Sequence, residues 1–192
     1  MTQRIFVDSN VLASRTLRDW LFLLRTETYR MFQLHTSFDV LMETVRVTRR
    51  RHPTADGKLT ADLFHRLEDL LDEVLGDFDG SVDFSGPDVN DHHVHAAVLS
   101  SRADKLLTSN ERHFPETDDL TYEVYTPDEF LVLVDDSAPH HVRSVTRQQI
   151  DYWQGLRSEG KQVRPLGHAL VDAGCPDFGA RIVRHVKALS GA

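Results

Sequence analysis

Ile5-Phe6-Val7 is a short apolar run that leads directly into the polar residues Asp8-Ser9-Asn10. An apolar run of this kind is typical of a buried strand, and the polar residues behind it are typical of a helix N-cap. The segment is therefore predicted to be a buried strand that is followed at once by a helix.

Strand and helix patterns alternate from this segment up to about residue 134. The predicted strands span residues 5–7, 33–36, 81–84, 105–108 and 123–125. The predicted helices, which repeat apolar residues at helical spacing, span residues 11–31, 39–51, 60–76, 88–101 and 129–134. This alternation predicts an α/β fold with a parallel sheet that is covered on both faces.

The pattern changes after the linker-like segment Asp135-Asp136-Ser137-Ala138-Pro139. Residues 140–192 contain three helical patterns and no convincing strand. We therefore predict an α/β domain over residues 1–138 and a small all-helical extension over residues 139–192.

Composition and charge restrict the class of protein. The chain has 192 residues, of which 40% are hydrophobic, and a single cysteine, which excludes an internal disulfide framework and a cysteine-based zinc cluster. No apolar stretch approaches the ~20 residues that span a bilayer, and the N-terminal segment lacks the apolar core of a secretory signal. We therefore expect a cytoplasmic protein without a membrane segment.

The charge of the chain is unevenly distributed. Residues 1–139 carry 26 acidic and 14 basic side chains, which argues against a protein that coats DNA. Residues 140–192 carry four acidic and eight basic side chains.

Several acidic residues follow predicted strands or begin the helices after them. Asp8 follows the first strand, Glu43 lies one turn into the helix after the second, and Asp88 and Asp91 begin a later helix. Because sites in open parallel sheets form at the carboxyl ends of the strands, we expect Asp8, Glu43 and Asp91 to share one pocket with Asn110 on its rim. Oxygen ligands without cysteine favour Mg²⁺ or Mn²⁺.

Each of these residues also has a purely structural interpretation. Asp8 fits a helix N-cap, Asp88 and Asp91 fit a capping box, and Glu43 fits the solvated side of a helix. The metal-site hypothesis depends on several acids occurring at strand ends together.

Four blocks of sequence resemble the PIN domain, a family of metal-dependent nucleases that includes VapC-type toxins of toxin–antitoxin pairs. They occur in the family's order within residues 4–135, and they are residues 5–12, the helix that carries Glu43, residues 88–97 and residues 106–115. The resemblance implies a three-layer α/β/α, Rossmann-like domain that hydrolyses RNA with Mg²⁺ or Mn²⁺. The basic tail also resembles a C-terminal extension of some longer VapC-like proteins.

The resemblance implies a role for individual residues. It makes Asp8, Glu43 and Asp91 the metal-binding acids, and Asn10 and Thr108 polar groups at or beside the metal. It gives His93 a packing or supporting role beside the site, and we expect the same supporting role for Asp88. Two departures affect a fourth carboxylate, because this chain has Asn110 and His113 where family members have an acid; Asn110 retains a carbonyl oxygen as a metal ligand.

Arginines near the predicted pocket offer a surface for RNA. Arg46, Arg49 and Arg50 follow Glu43 on its helix, and Arg15 lies beyond Asp8. For the arginines that end the helix, a favourable interaction with the helix dipole is an equally good explanation. The histidines at 92, 93 and 95 are better explained as a polar helix start than as metal ligands.

Together these patterns predict a metal-dependent endoribonuclease that acts as the toxin of a type II toxin–antitoxin system. RNA would be the substrate, an antitoxin protein the partner, and a homodimer a further state to test. The alternative from another class is a non-catalytic PIN-like module that binds RNA or protein.

Overall fold

A five-stranded parallel sheet lies at the centre of the fold in the computed structural model, which describes residues 2–114 and 120–191. Its strands are β1 (Gln3–Val7), β2 (Phe32–Ser37), β3 (Glu73–Leu75), β4 (Lys105–Leu107) and β5 (Glu123–Tyr125). Their order across the sheet is β3-β2-β1-β4-β5, and all four pairings are parallel. The predicted α/β class with a parallel sheet is confirmed, and this strand order is compatible with a Rossmann-like fold.

Strand β4 and the last three residues of β1 are buried at the middle of the sheet. Ile5, Phe6 and Val7 of β1 and Leu106 and Leu107 of β4 are all inaccessible to solvent. Because successive side chains of a strand point to opposite faces, both faces of β1 and β4 are covered.

Nine helices accompany the sheet in the described part of the chain. They are α1 (Ser9–Leu12), α2 (Arg15–Glu27), α3 (Phe38–Arg51), α4 (Gly57–Leu70), α5 (His92–Ser101), α6 (Pro127–Ser137), α7 (Pro139–Ser158), α8 (Leu166–Asp172) and α9 (Pro176–Ser190). Short 3₁₀ turns at Val89–Asp91 and Glu111–His113 precede α5 and follow β4. No helix among the described residues is long and apolar enough to cross a membrane.

Three predicted elements differ from the structure. The helix predicted over residues 60–76 ends at Leu70, and residues 73–75 form β3, because Asp72 bonds both backbone groups of Leu34 and so directs the chain alongside β2. The strand predicted over residues 81–84 is absent. The helix predicted over residues 11–31 is divided at Ala13, whose carbonyl accepts a hydrogen bond from the Arg51 guanidinium.

The chain divides into two compact units. The first consists of Met1–Ser14 and Met31–Thr126 and contains the sheet with α1, α3, α4 and α5. The second consists of Arg15–Arg30 and Pro127–Ala192 and contains α2 and α6 to α9. The predicted boundary near residue 138 thus lies within the second unit, between α6 and α7.

Contacts inside the second unit explain why α2 and α6 group with the C-terminal helices. Trp20 of α2 is buried with its ring edge-on to Phe178 of α9, at 5.2 Å between centroids. Asp128 of α6 accepts hydrogen bonds from the first backbone N–H groups of α9, 2.8 Å in the case of Phe178. The buried carboxylate of Asp135 on α6 lies 2.7 Å from His185 Nε2 on α9. The predicted all-helical tail is thus one part of a larger helical unit.

Candidate functional site

Asp8 stands at the carboxyl end of β1 with its side chain buried, at 3% exposure. Its Oδ1 accepts a hydrogen bond from the Ser9 backbone N–H at 2.5 Å, which makes it the N-cap of the short helix α1. Its Oδ2 accepts two more, from Asn10 Nδ2 and from Thr108 Oγ1, both at 2.6 Å. Capping therefore accounts for one oxygen of Asp8, while the other is held by side chains from two different strand ends.

Thr108 connects the ends of β1 and β4. While its hydroxyl donates to Asp8, its oxygen accepts from the Asn110 backbone N–H at 3.0 Å and from Asn10 Nδ2 at 3.1 Å. Asn10 Oδ1 in turn accepts from the Ser109 backbone N–H at 3.0 Å. Asn10 and Thr108, the two polar residues expected beside a metal, thus fix the position of the Asp8 carboxylate.

Burial raises the pKa of Asp8 above its ordinary value. The hydrogen bonds from Thr108 and Ser9 oppose this rise, and the negative charge of Asp91 adds to it. The charge of Asp91, in the turn before α5, therefore acts on the Asp8 carboxylate at the end of β1.

A second cluster consists of Asp88, Asp91 and His113, which offer three ligand atoms within 4.8 Å of one another. His113 Nδ1 lies 2.6 Å from Asp91 Oδ2 and 3.5 Å from Asp88 Oδ2. Hydrogen bonds from the backbone and side chain of Asn90 lower the pKa of Asp88, so this carboxylate favours its charged form. This triad could hold a metal ion.

Glycine at position 86 brings the loop before α5 against the turn that carries His113. A Cβ on Gly86 would collide with the backbone carbonyl of His113 and with the ring of Phe84. Phe84 itself packs against the rings of Phe114 and His95. The position of His113 therefore depends on a residue without a side chain in a loop distant in sequence.

Glu43 lies on α3 with its side chain about half exposed, and its Oε1 is 3.7 Å from His93 Nε2. His93 Nδ1 lies 2.7 Å from the Asn90 carbonyl, which can only accept, so Nδ1 carries the proton. The Nε2 atom is shielded from solvent and has no hydrogen-bond partner in the described part of the chain. A ring nitrogen of His93 thus lies close to Glu43, while the supporting role of His93 stays a prediction.

The four predicted metal residues do not form one ligand group among the described residues. Asp91 is joined by Asp88 and His113, whereas Asp8 and Glu43 lie outside that triad. The Asn110 side chain is exposed. Its backbone carbonyl accepts a hydrogen bond from the His113 N–H at 2.9 Å, which is its link to the triad. The sequence singles out His113 as standing where family members have an acid, but it does not predict the contact of His113 with Asp91, because 22 residues separate them. Pro115, which ends the fourth block of the resemblance, lies outside the described residues.

The predicted RNA-binding arginines have different environments. Arg49 donates to the carbonyls of residues 52, 55 and 56 and to Thr60, which ties the end of α3 to the start of α4. Arg46 and Arg50 are exposed on the same helix. Arg15 belongs to the second unit, where it donates to the Tyr152 hydroxyl at 3.1 Å and pairs with Asp19.

His92 and His95, on either side of His93, each have a hydrogen-bond partner elsewhere in the fold. His92 Nε2 donates to the carbonyl of Val82 at 2.8 Å, and His95 Nδ1 lies 2.7 Å from the Tyr122 hydroxyl.

Comparisons of the chain with protein-family models, with curated proteins and with solved structures gave no match.

Proposed function

We propose that this protein is a PIN-type endoribonuclease that requires Mg²⁺ or Mn²⁺. The observation that supports it best is the buried Asp8 carboxylate at the end of the central strand, whose pKa the charge of Asp91 helps to raise. Two acids that influence each other near the carboxyl edge of a parallel sheet would favour a bound cation, because a cation reduces their mutual repulsion. The four sequence blocks that resemble the PIN domain give the site its proposed chemistry.

The donor set fits a hard divalent cation. Asp8 and Asp91 would hold the ion, with Glu43, Asp88 and His113 as further donors and Asn110 as a neutral oxygen at the rim. A bound Mg²⁺ would polarise a phosphodiester and make water a better nucleophile.

The protein's own side chains would prepare this chemistry. Asn10 and Thr108 both donate hydrogen bonds to Oδ2 of Asp8 and so fix the orientation of its carboxylate. Arg46 and Arg50, exposed on the helix that carries Glu43, would attract RNA phosphates to an otherwise acidic unit. Hydrolysis by this route leaves 5′-phosphate and 3′-hydroxyl ends.

The biological role proposed with this activity is that of a cytoplasmic toxin with a cognate antitoxin. It rests on the resemblance to VapC-type proteins, as do the three-layer architecture and the C-terminal extension. One observation favours the alternative of a non-catalytic binding module: Oδ2 of Asp91 already lies 2.6 Å from His113 Nδ1, within hydrogen-bonding distance.

RNA cleavage with and without Mg²⁺ separates the two functions. The wild-type chain should cleave single-stranded RNA in Mg²⁺ or Mn²⁺ and lose all cleavage in excess EDTA. Asp8→Asn and Asp91→Asn should each lose about 100-fold or more in rate, since the ion contributes several kcal/mol to the reaction. Asp62→Asn, at an exposed acid on α4, is the matched control and should keep the wild-type rate. Cleavage that persists in EDTA, or wild-type rates in both site variants, would contradict the proposal.

A further inference from the structure

Helices α7, α8 and α9 of the second unit line an open groove of about 680 Å³. On α9 the lining residues form one stripe that runs from Pro176 through Gly179 and Val183 to Ser190. At 1.5 Å per residue this stripe is about 21 Å long, so the groove is elongated and follows the whole helix. A compact small molecule would fill only a part of it.

The groove presents apolar side chains to solvent. Val171 is 50% exposed and Val183 is 42% exposed, and both line it. Its base is a close contact of α8 with α9, where a Cβ on Gly167 would lie 2.6 Å from the Val183 side chain and one on Gly179 2.9 Å from the Gly167 carbonyl. Neighbouring exposed apolar groups of this kind mark an interaction surface.

The charged residues that line the groove are all basic. They are Arg157, Arg164 and Lys187, and no acidic residue lines it in the described part of the chain. Arg164 is paired with Asp172, which lies outside the groove. Arg157 and Lys187 are exposed and form no ion pair with any described residue, so their charges are available to a ligand. The groove is therefore apolar along its length and positive at its edge.

We propose that this groove binds an amphipathic helix of a partner protein, with apolar side chains over Val171 and Val183 and acidic flanks towards Arg157 and Lys187. A helix of about 14 residues matches the length of the stripe, and helix-in-groove binding uses anchors at the same i, i+3, i+4 spacing. Charge complementarity selects an acidic helix over a basic one. This interaction does not depend on the proposed nuclease activity.

A labelled synthetic peptide tests the proposal on the full chain. The probe has about 15 residues, with leucine at helical i, i+3, i+4 spacing and glutamate elsewhere. Fluorescence anisotropy should show binding that weakens as salt is raised, whereas the same peptide with lysine in place of glutamate should not bind. Equal binding of the two peptides, or no binding of the acidic one, overturns the proposal.

Substitutions in the groove locate the binding surface. Val183→Glu and Lys187→Glu should each weaken binding of the acidic peptide by about tenfold or more, since each places a negative charge against the acidic flanks. Leu133→Glu is the matched control, because Leu133 is an exposed apolar residue on α6 outside the groove. Equal affinity of all three variants and wild type would refute the assignment. The groove could instead be occupied by a second copy of the chain, and sedimentation of the chain alone tests this. A dimer that Val183→Glu dissociates would place a second copy in the groove and contradict the proposal.

Discussion

Nδ1 of His113 lies 2.6 Å from Oδ2 of Asp91, within hydrogen-bonding distance. The carboxylate of Asp91, which the sequence predicts as a metal ligand, is thus close to an imidazole. That imidazole stands at position 113, where members of the family that the chain resembles have an acid. The two residues belong to the turn after β4 and to the turn before α5. In the proposed function, a cation that uses this oxygen of Asp91 would have to displace the hydrogen bond from His113.

Replacing His113 by aspartate should strengthen Mg²⁺ binding. The change exchanges a nitrogen donor for a charged oxygen, which a hard cation prefers. Isothermal titration with Mg²⁺ should show tighter binding for His113→Asp. Asn110→Asp is the matched control, and because that residue is exposed and takes part through its backbone, its effect should be smaller. A larger effect at position 110 would place Asn110 nearer the ion than His113.

Gly86→Ala should destabilise the first unit and disturb the triad. The added methyl group would overlap the His113 carbonyl and the Phe84 ring, and such overpacking costs about 1–3 kcal/mol. Urea denaturation measures this loss, and metal titration measures the displacement of His113. Gly80→Ala has open space around its Cβ and should leave both unchanged. Equal stability of the two variants would show that the loop yields easily.

The arginines of α3 should separate into two classes on substitution by alanine. Arg49→Ala removes hydrogen bonds to three carbonyls and a hydroxyl, and a loss of about 1–3 kcal/mol in unfolding free energy is expected. Arg46→Ala and Arg50→Ala should keep the melting temperature and weaken RNA binding, with a shallower dependence on salt. Stability and RNA affinity measured on all three variants check the division. Unchanged RNA affinity for Arg46→Ala and Arg50→Ala would remove α3 from the RNA-binding surface.

Acid should destabilise the protein through two buried histidines. Burial lowers the pKa of both His35 and His95, so below the ordinary histidine value of about 6.5 the unfolded chain takes up protons that the folded chain does not. The free energy of unfolding should therefore fall as pH decreases from 7 to 5. Substituting both histidines by glutamine should reduce this fall, while His65→Gln, at an exposed histidine, should not. The same pH dependence in all variants would assign the acid sensitivity to other groups.

The sequence predicts best those features that depend on local pattern. The apolar run before Asp8 is enough to predict a buried strand, the N-cap of the helix that follows it, and an acid at the carboxyl edge of a parallel sheet. The same method fails at residues 73–75, since Val74 and Leu75 continue the helical spacing of α4 and only their pairing with Thr36 and Ser37 makes them a strand. Long-range partners are also missed. The contact of His113 with Asp91 and the collision that reserves position 86 for glycine require the folded chain.

In the sequence, α2 is separated from the rest of its own unit by residues 31–126, which belong to the first unit, and this affects the order in which the chain can fold during synthesis. Trp20 leaves the ribosome well before Phe178, whose ring meets it, because Phe178 lies 158 residues later in the chain. At translation rates of about 5–20 residues per second, Trp20 is made on the order of 10 s before Phe178. During that interval the nascent chain displays a large aromatic side chain that a chaperone can recognise. Translation that stops near residue 138 would leave Trp20 without Phe178 as its partner.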